Sequence, residues 1–268
     1  MKRFPQRAKA PQRQQVGATI SRVAPVGGWN TRDPIAQMAP KYAPVLENFF
    51  PTAAGVSLRK GALDWVVGLT GNVKTLLSWQ GQGSSKLFGI SDSKIFNATA
   101  SATNPASLLS RTKGEHIWTS FTGTGGTYLF AVNGIDPMAM FDGTNWTTVA
   151  SFPITGGGTL NTSNIAVVGV FKRMLFFIQN DDTAFYFLPI DQISGTVSKF
   201  PLGGQIQRGG YLMAIGSWTV DAGGGQDDFC VFVTTRGEMI VYQGTDPSTA
   251  ANWSLRGKYY IGPPLGMN

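Results

Sequence analysis

The feature that most restricts the fold of this chain is a hairpin that returns four times, each an apolar run, a tight turn and a second apolar run. The first joins Lys86–Ile90 to Lys94–Asn97 through Ser91-Asp92-Ser93, and the second joins Tyr128–Val132 to Met138–Gly143 with Asn133-Gly134 in the turn. The third joins Arg173–Ile178 to Ala184–Leu188, and the fourth joins Asp228–Val233 to Glu238–Gly244 through Thr234–Gly237. Asn-Gly and Arg-Gly between such runs are turn chemistry suited to antiparallel pairing. A further apolar run precedes each hairpin: Thr75–Trp79, His116–Thr119, Ile165–Phe171 and Leu212–Trp218. The first hairpin strands centre near residues 88, 130, 176 and 231. Repeats of roughly 40 to 50 residues with about four strands each predict an all-β fold, a β-propeller-like array of blades over residues 63–268. A β-sandwich or barrel is the alternative, because hairpins build those as well. Four units are few for a closed propeller. Lys258-Tyr259-Tyr260-Ile261 reads as the start of another strand just before the chain stops, which leaves open a short array, a split gene or an incomplete ring closed by a neighbouring subunit.

Composition agrees with many short strands covered by an assembly. Gly 34, Pro 15 and 12% aromatic residues suit strands joined by turns, while only 14% of residues are charged. An average soluble domain carries roughly 25% charge, so this surface suits an assembly that covers much of it. The net charge of +7 is uneven: Lys2, Arg3, Arg7, Lys9, Arg13 and Arg22 all precede the first acidic residue, Asp33. Setting these six aside leaves sixteen of the 22 basic residues against fifteen acidic ones. Residues 1–24, polar, basic and proline-containing, therefore read as an extended or disordered arm. Its cations suit a sequence-independent contact with DNA phosphates or docking on an acidic face of a neighbouring subunit. The start lacks the apolar centre of a signal peptide, and no apolar run is long enough for membrane insertion.

Residues 25–62 hold the most distinctive motif. Gly27-Gly28 permits a turn, Trp29 offers an apolar anchor, and Asn30-Thr31-Arg32-Asp33-Pro34 is turn chemistry. Ile35–Met38 suffices for one helical turn before Pro40. Val45, Leu46, Phe49 and Phe50 are expected to enter a core, with Pro51 as the stop, and Val56–Arg59 alternates as a half-buried strand ending at Lys60-Gly61. This run resembles the N-terminal signature of tail and head-completion proteins of tailed bacteriophages. The matching positions are Gly27, Gly28, Trp29, Asn30, Thr31, Arg32, Asp33 and Pro34, then Met38, Leu46, Asn48, Phe49, Phe50 and Pro51. Val56, Leu58, Arg59, Lys60 and Gly61 complete the match. The resemblance covers about 35 residues and implies a virion structural protein of the tail nozzle, hub or DNA-stabilising type. It implies assembly in the bacterial cytoplasm as a ring, hexameric in such proteins, that meets head–tail adaptor or portal-side proteins and other tail proteins and takes part in DNA ejection. The resemblance identifies no catalytic residue.

Candidates for chemistry are few. His116 is the single histidine and stands among aromatics, without Cys or Glu at metal-ligand spacing. Asp181-Asp182 and Asp227-Asp228 sit at hairpin edges, where aspartate favours turns. The triple glycines at 156–158 and 223–225 lack the Lys-Ser/Thr of a phosphate loop. Cys230 lies in an apolar run and reads as a buried small hydrophobe. No enzyme activity, cofactor or metal is expected. A second reading is a propeller module that recognises host carbohydrate, with Trp29, Trp79, Trp118, Trp146 and Trp253 available to stack on sugars.

Overall fold

A computed structural model describes residues 21, 23–221 and 226–266, without the side chains of 220–227. The basic residues of the arm, Lys2, Arg3, Arg7, Lys9, Arg13 and Arg22, lie outside the described residues. The chain divides into two compact units, Met1–Leu63 and Asp64–Asn268.

The larger unit is all-β. Its main elements are four four-stranded antiparallel sheets, each wound as a meander in chain order. Sheet one holds Thr75–Gly81, Ser84–Ile90, Lys94–Asn97 and Ser107–Ser110, and sheet two holds Ile117–Gly123, Gly126–Val132, Met138–Phe141 and Trp146–Val149. Sheet three holds Ile165–Phe171, Met174–Gln179, Ala184–Phe187 and Ser198–Pro201. Sheet four holds Leu212–Asp221, Gln226–Thr234, Glu238–Gly244 and Trp253–Tyr260. The hairpins expected from the sequence form strands two and three of each sheet, and the preceding apolar runs form strand one. Residues 258–260 are the end of the fourth strand of sheet four rather than the start of another element. The described sheets form no closed barrel.

The sheets pack in sequence, front to back, and a separate apolar core fills each gap. Leu77, Trp79 and Phe88 of sheet one meet Leu129, Ala139 and Phe141 of sheet two. Phe130 and Val132 of sheet two meet Val168 and Phe177 of sheet three. Phe176 and Phe185 of sheet three meet Cys230, Phe232, Tyr242 and Trp253 of sheet four. Because side chains alternate across a strand, adjacent Phe176 and Phe177 serve two different cores, which explains the unbroken apolar runs of strand two. Phe185 is the centre of an aromatic stack, with ring centroids 4.5 Å from Phe232 and 5.1 Å from Phe200. Aromatic pairs at such distances add to the stabilisation from burial alone.

Hairpin tips also tie each sheet to the next. Trp79 Nε1 donates to the Thr127 carbonyl at 2.9 Å, the Thr124 amide donates to the Asp191 carbonyl at 2.9 Å, and Lys172 Nζ pairs with Asp228 at 2.6 Å.

The smaller unit carries little regular structure. Gly28–Trp29 pairs in parallel with Tyr42–Ala43, Ile35–Gln37 forms the expected single helical turn, and Phe49–Thr52 pairs with Gly55–Leu58 as a two-stranded hairpin. Pro51 lies inside that hairpin and does not end the strand.

Candidate functional site

The residues of the Gly27–Gly61 run build a self-contained turn. Gly27 has no room for a side chain, since a Cβ there would stand 2.6 Å from the Tyr42 ring. Gly28 has φ +84°, a conformation that L side chains rarely adopt. Asn30 then organises the turn itself. Its Oδ1 accepts the amides of Arg32 at 3.0 Å and Asp33 at 3.2 Å, and its Nδ2 donates to Asp33 Oδ2 at 2.8 Å. Pro34, at φ −56°, leads into the helical turn. Arg32 first, and Asn30 second, hold the Asp33 carboxyl below the usual carboxylate range. Asn48 adopts φ +59°, an αL conformation that asparagine tolerates, and its carbonyl accepts the Arg59 amide at 2.7 Å.

The same turn recurs in the larger unit as Asn133-Gly134-Ile135-Asp136-Pro137. Asn133 Oδ1 accepts the amides of Ile135 and Asp136 at 3.1 and 2.8 Å, and Asn133 Nδ2 donates to Asp136 Oδ2 at 2.7 Å. In this copy the aspartate does more. Asp136 also accepts the backbone amide and hydroxyl of Thr112 at 2.9 and 2.8 Å, fastening the linker that enters sheet two. Burial pushes the Asp136 carboxyl up, but these hydrogen bonds and the nearby Arg111 charge outweigh it and hold the group below its ordinary value. Glu238 does the same for sheet four, accepting the amides of Gln207 and Arg208 at 2.8 and 2.9 Å.

The large apolar side chains expected in the core are not core residues. Trp29 is 68% exposed, Phe49 46%, Phe50 57% and Leu58 66%. Val45 and Pro51 are exposed as well, and Leu46 is half-buried. The physical reason is local. Neighbouring residues of a strand point to opposite faces, so Phe49 and Phe50 flank a ribbon that, among the described residues, has only two strands. Trp29 is held by its edge, through Nε1 donating to the Pro44 carbonyl at 3.0 Å, with the ring left outside. Arg59 and Gly61 are also exposed. An apolar groove of about 650 Å3 lies in the same unit, lined by Val23, Pro25, Ile35, Met38 and Tyr42 among others.

The chemical candidates take structural places. His116 is buried, with Nδ1 3.2 Å from the Gly114 carbonyl and Nε2 without a partner among the described residues. Burial lowers its basicity, and the adjacent Arg111 charge adds to the effect. Asp182 accepts from Tyr186 Oη and the Ala184 amide, Asp181 occupies a turn at φ +53°, and Asp228 pairs with Lys172. Cys230 is buried, which pushes its thiol well up. Among the described residues, no three His, Cys, Asp or Glu side chains gather as a metal site would require. Of the five tryptophans able to stack on sugars, Trp79 and Trp253 are buried, Trp118 and Trp146 pack against the core between sheets one and two, and Trp29 stands exposed.

Sequence reasoning missed Arg111, Asp136 and Glu238. The repeated Asn-x-x-Asp-Pro spelling at 30–34 and 133–137 was the available signal for the second of these. No protein-family model matches the chain, and comparison with curated proteins likewise gives no match. The fold therefore defines the chain only as an all-β protein of antiparallel sheets.

Proposed function

We propose that this chain is a ring-forming structural protein of a tailed-bacteriophage virion, a tail nozzle, hub or head–tail junction component that helps to retain and conduct DNA. In this reading the four sheets are blades of an open β-propeller, and the basic arm meets DNA or a neighbouring subunit. One observation carries the proposal. In the run that resembles the tail and head-completion signature, the polar side chains of Asn30 and Asp33 bond one another, while Trp29, Phe49, Phe50 and Leu58 face outward. Large apolar side chains exposed together on a short segment mark a surface that an assembly covers. A low content of charge and open strand edges favour the same conclusion.

Negative-stain microscopy of the purified chain, alone and mixed with portal and adaptor proteins, tests it. Rings are expected in one or both samples, with the chain present in purified particles by mass spectrometry. A compact monomer in both samples, and no chain in the particles, overturns the reading.

A further inference from the structure

The front face of sheet four reproduces, row by row, the face of sheet three that sheet four covers. The first strands of the two sheets, Ile165–Phe171 and Leu212–Asp221, share a register shift near their starts, between Ile165 and Val167 and between Leu212 and Ala214. From there the pairings run in step. Across sheet three, Ile178, Phe185 and Phe200 lie beside Val167, and across sheet four, Val233, Met239 and Tyr259 lie beside Ala214. The next row is Gly169, Phe176 and Phe187 in one sheet and Gly216, Val231 and Val241 in the other. The last is Phe171 with Met174, matched by Trp218 with Phe229.

What differs is the cover. In the middle row Val231 and Val241 are buried like Phe176 and Phe187, but Phe171 is 3% exposed where its counterpart Trp218 is 49% exposed, and Tyr259 is 54% exposed. Gly169 receives Ile215 of sheet four, whose Cγ2 lies 2.7 Å from an ideal Cβ, whereas Gly216 has nothing within 4 Å. None of the residues in these three rows of sheet four carries a charge. At the other end of the stack, the back of sheet one shows Leu76 at 59% exposure and Val73 at 43%, both over Gly89. Among the described residues, the front of sheet four is thus open around Gly216, Trp218 and Tyr259, and the back of sheet one shows exposed apolar side chains at Leu76 and Val73.

We infer that the front of sheet four is a docking face for a second copy of this chain, which seats the back of its first sheet there. Every internal junction is directional, the back of one sheet on the front of the one before, so continuing the stack joins two different faces head to tail. Such a contact generates rings or filaments and does not stop at a two-fold dimer. This inference rests on the ring reading and supplies the contact that makes the ring.

The test uses the full chain with Gly216→Val, which fills the open position without touching any internal core; valine also favours strand. Sedimentation velocity is run over a concentration series on the wild-type chain and this variant. Separately, chains carrying Trp218→Cys and Leu76→Cys are mixed and treated with a short bismaleimide; the native Cys230 is buried. The expected result is self-association lost in Gly216→Val, with unchanged circular dichroism, and a 218-to-76 cross-link between copies. Assembly that Gly216→Val leaves intact, with no such cross-link, overturns the docking face while the ring reading stands. Cross-links only between two Trp218→Cys chains overturn the head-to-tail arrangement. A wild-type monomer at every concentration overturns the docking face and, if adaptor proteins also fail to assemble it, the ring reading too.

Discussion

Ile215 occupies the space that a side chain on Gly169 would need: its Cγ2 lies 2.7 Å from where a Cβ would stand. Isoleucine is branched at Cβ and turns poorly out of the way. Gly169→Val should therefore destabilise the chain by about 1–3 kcal/mol, the cost of overpacking a filled core. Ile215→Ala in the same chain should recover part of that loss. Urea denaturation of the two single variants and the double variant gives the coupling directly, and additive effects would show that the two positions do not touch.

Phe185 and Phe50 make an opposed pair. Phe185 is fully buried in the stack with Phe200 and Phe232, and Phe185→Ala should cost about 3–5 kcal/mol. Phe50 is 57% exposed, so Phe50→Ala should change the stability of the unassembled chain by no more than about 0.5 kcal/mol. Its effect should appear in assembly. Thermal melts and sizing of both variants separate the two outcomes.

The burial of His116 sets the sign of a pH dependence of the fold. Burial above all disfavours the imidazolium in the folded chain, with the Arg111 and Lys113 charges adding to this and the Gly114 carbonyl and Asp136 opposing it. The unfolded chain protonates near the ordinary histidine value of about 6.5. As pH falls below that value the unfolded state takes up a proton that the folded state resists. Stability is then lost by up to about 1.4 kcal/mol per pH unit until the lower folded value is reached. Denaturation between about pH 7 and pH 5.5 should show this slope in the wild-type chain and a flat response in His116→Phe. This is the chain's single histidine, so the comparison is clean.

The basic arm should reveal itself through salt. With six phosphate contacts at about −0.9 each, the slope of log affinity against log salt on duplex DNA should approach about −5. Deleting residues 1–20 should remove most of that slope and leave the sheets folded. An unchanged slope after deletion would place the DNA contact elsewhere.

The sheets were legible in the sequence where strands are covered on both faces. Phe176-Phe177 and Phe185-Tyr186-Phe187 sit in the middle of sheet three, and each stretch reads as an unbroken apolar run because both faces meet a core. Fourth strands such as Ser107–Ser110 and Trp146–Val149 were not legible: they are only four residues long, lie at sheet edges and have no run of buried side chains to mark them. The Asn30–Pro34 turn was readable as turn chemistry because its hydrogen bonds are local. Asp136 and Glu238 were not, since the amides they hold are 24 and 31 residues away in the chain. Phe49 and Phe50 were misplaced for a different reason. An apolar residue type shows that a side chain favours cover, but only the count of neighbouring strands shows whether the chain itself provides it.

Sedimentation velocity of the full chain, from low to high micromolar concentration, tests the central claim most directly. A chain with an uncovered front at Trp218 and exposed Phe49 and Phe50 should sediment as species larger than its 28.7 kDa monomer, growing with concentration towards a closed ring. A single compact 28.7 kDa species throughout, unchanged by Gly216→Val, would contradict it.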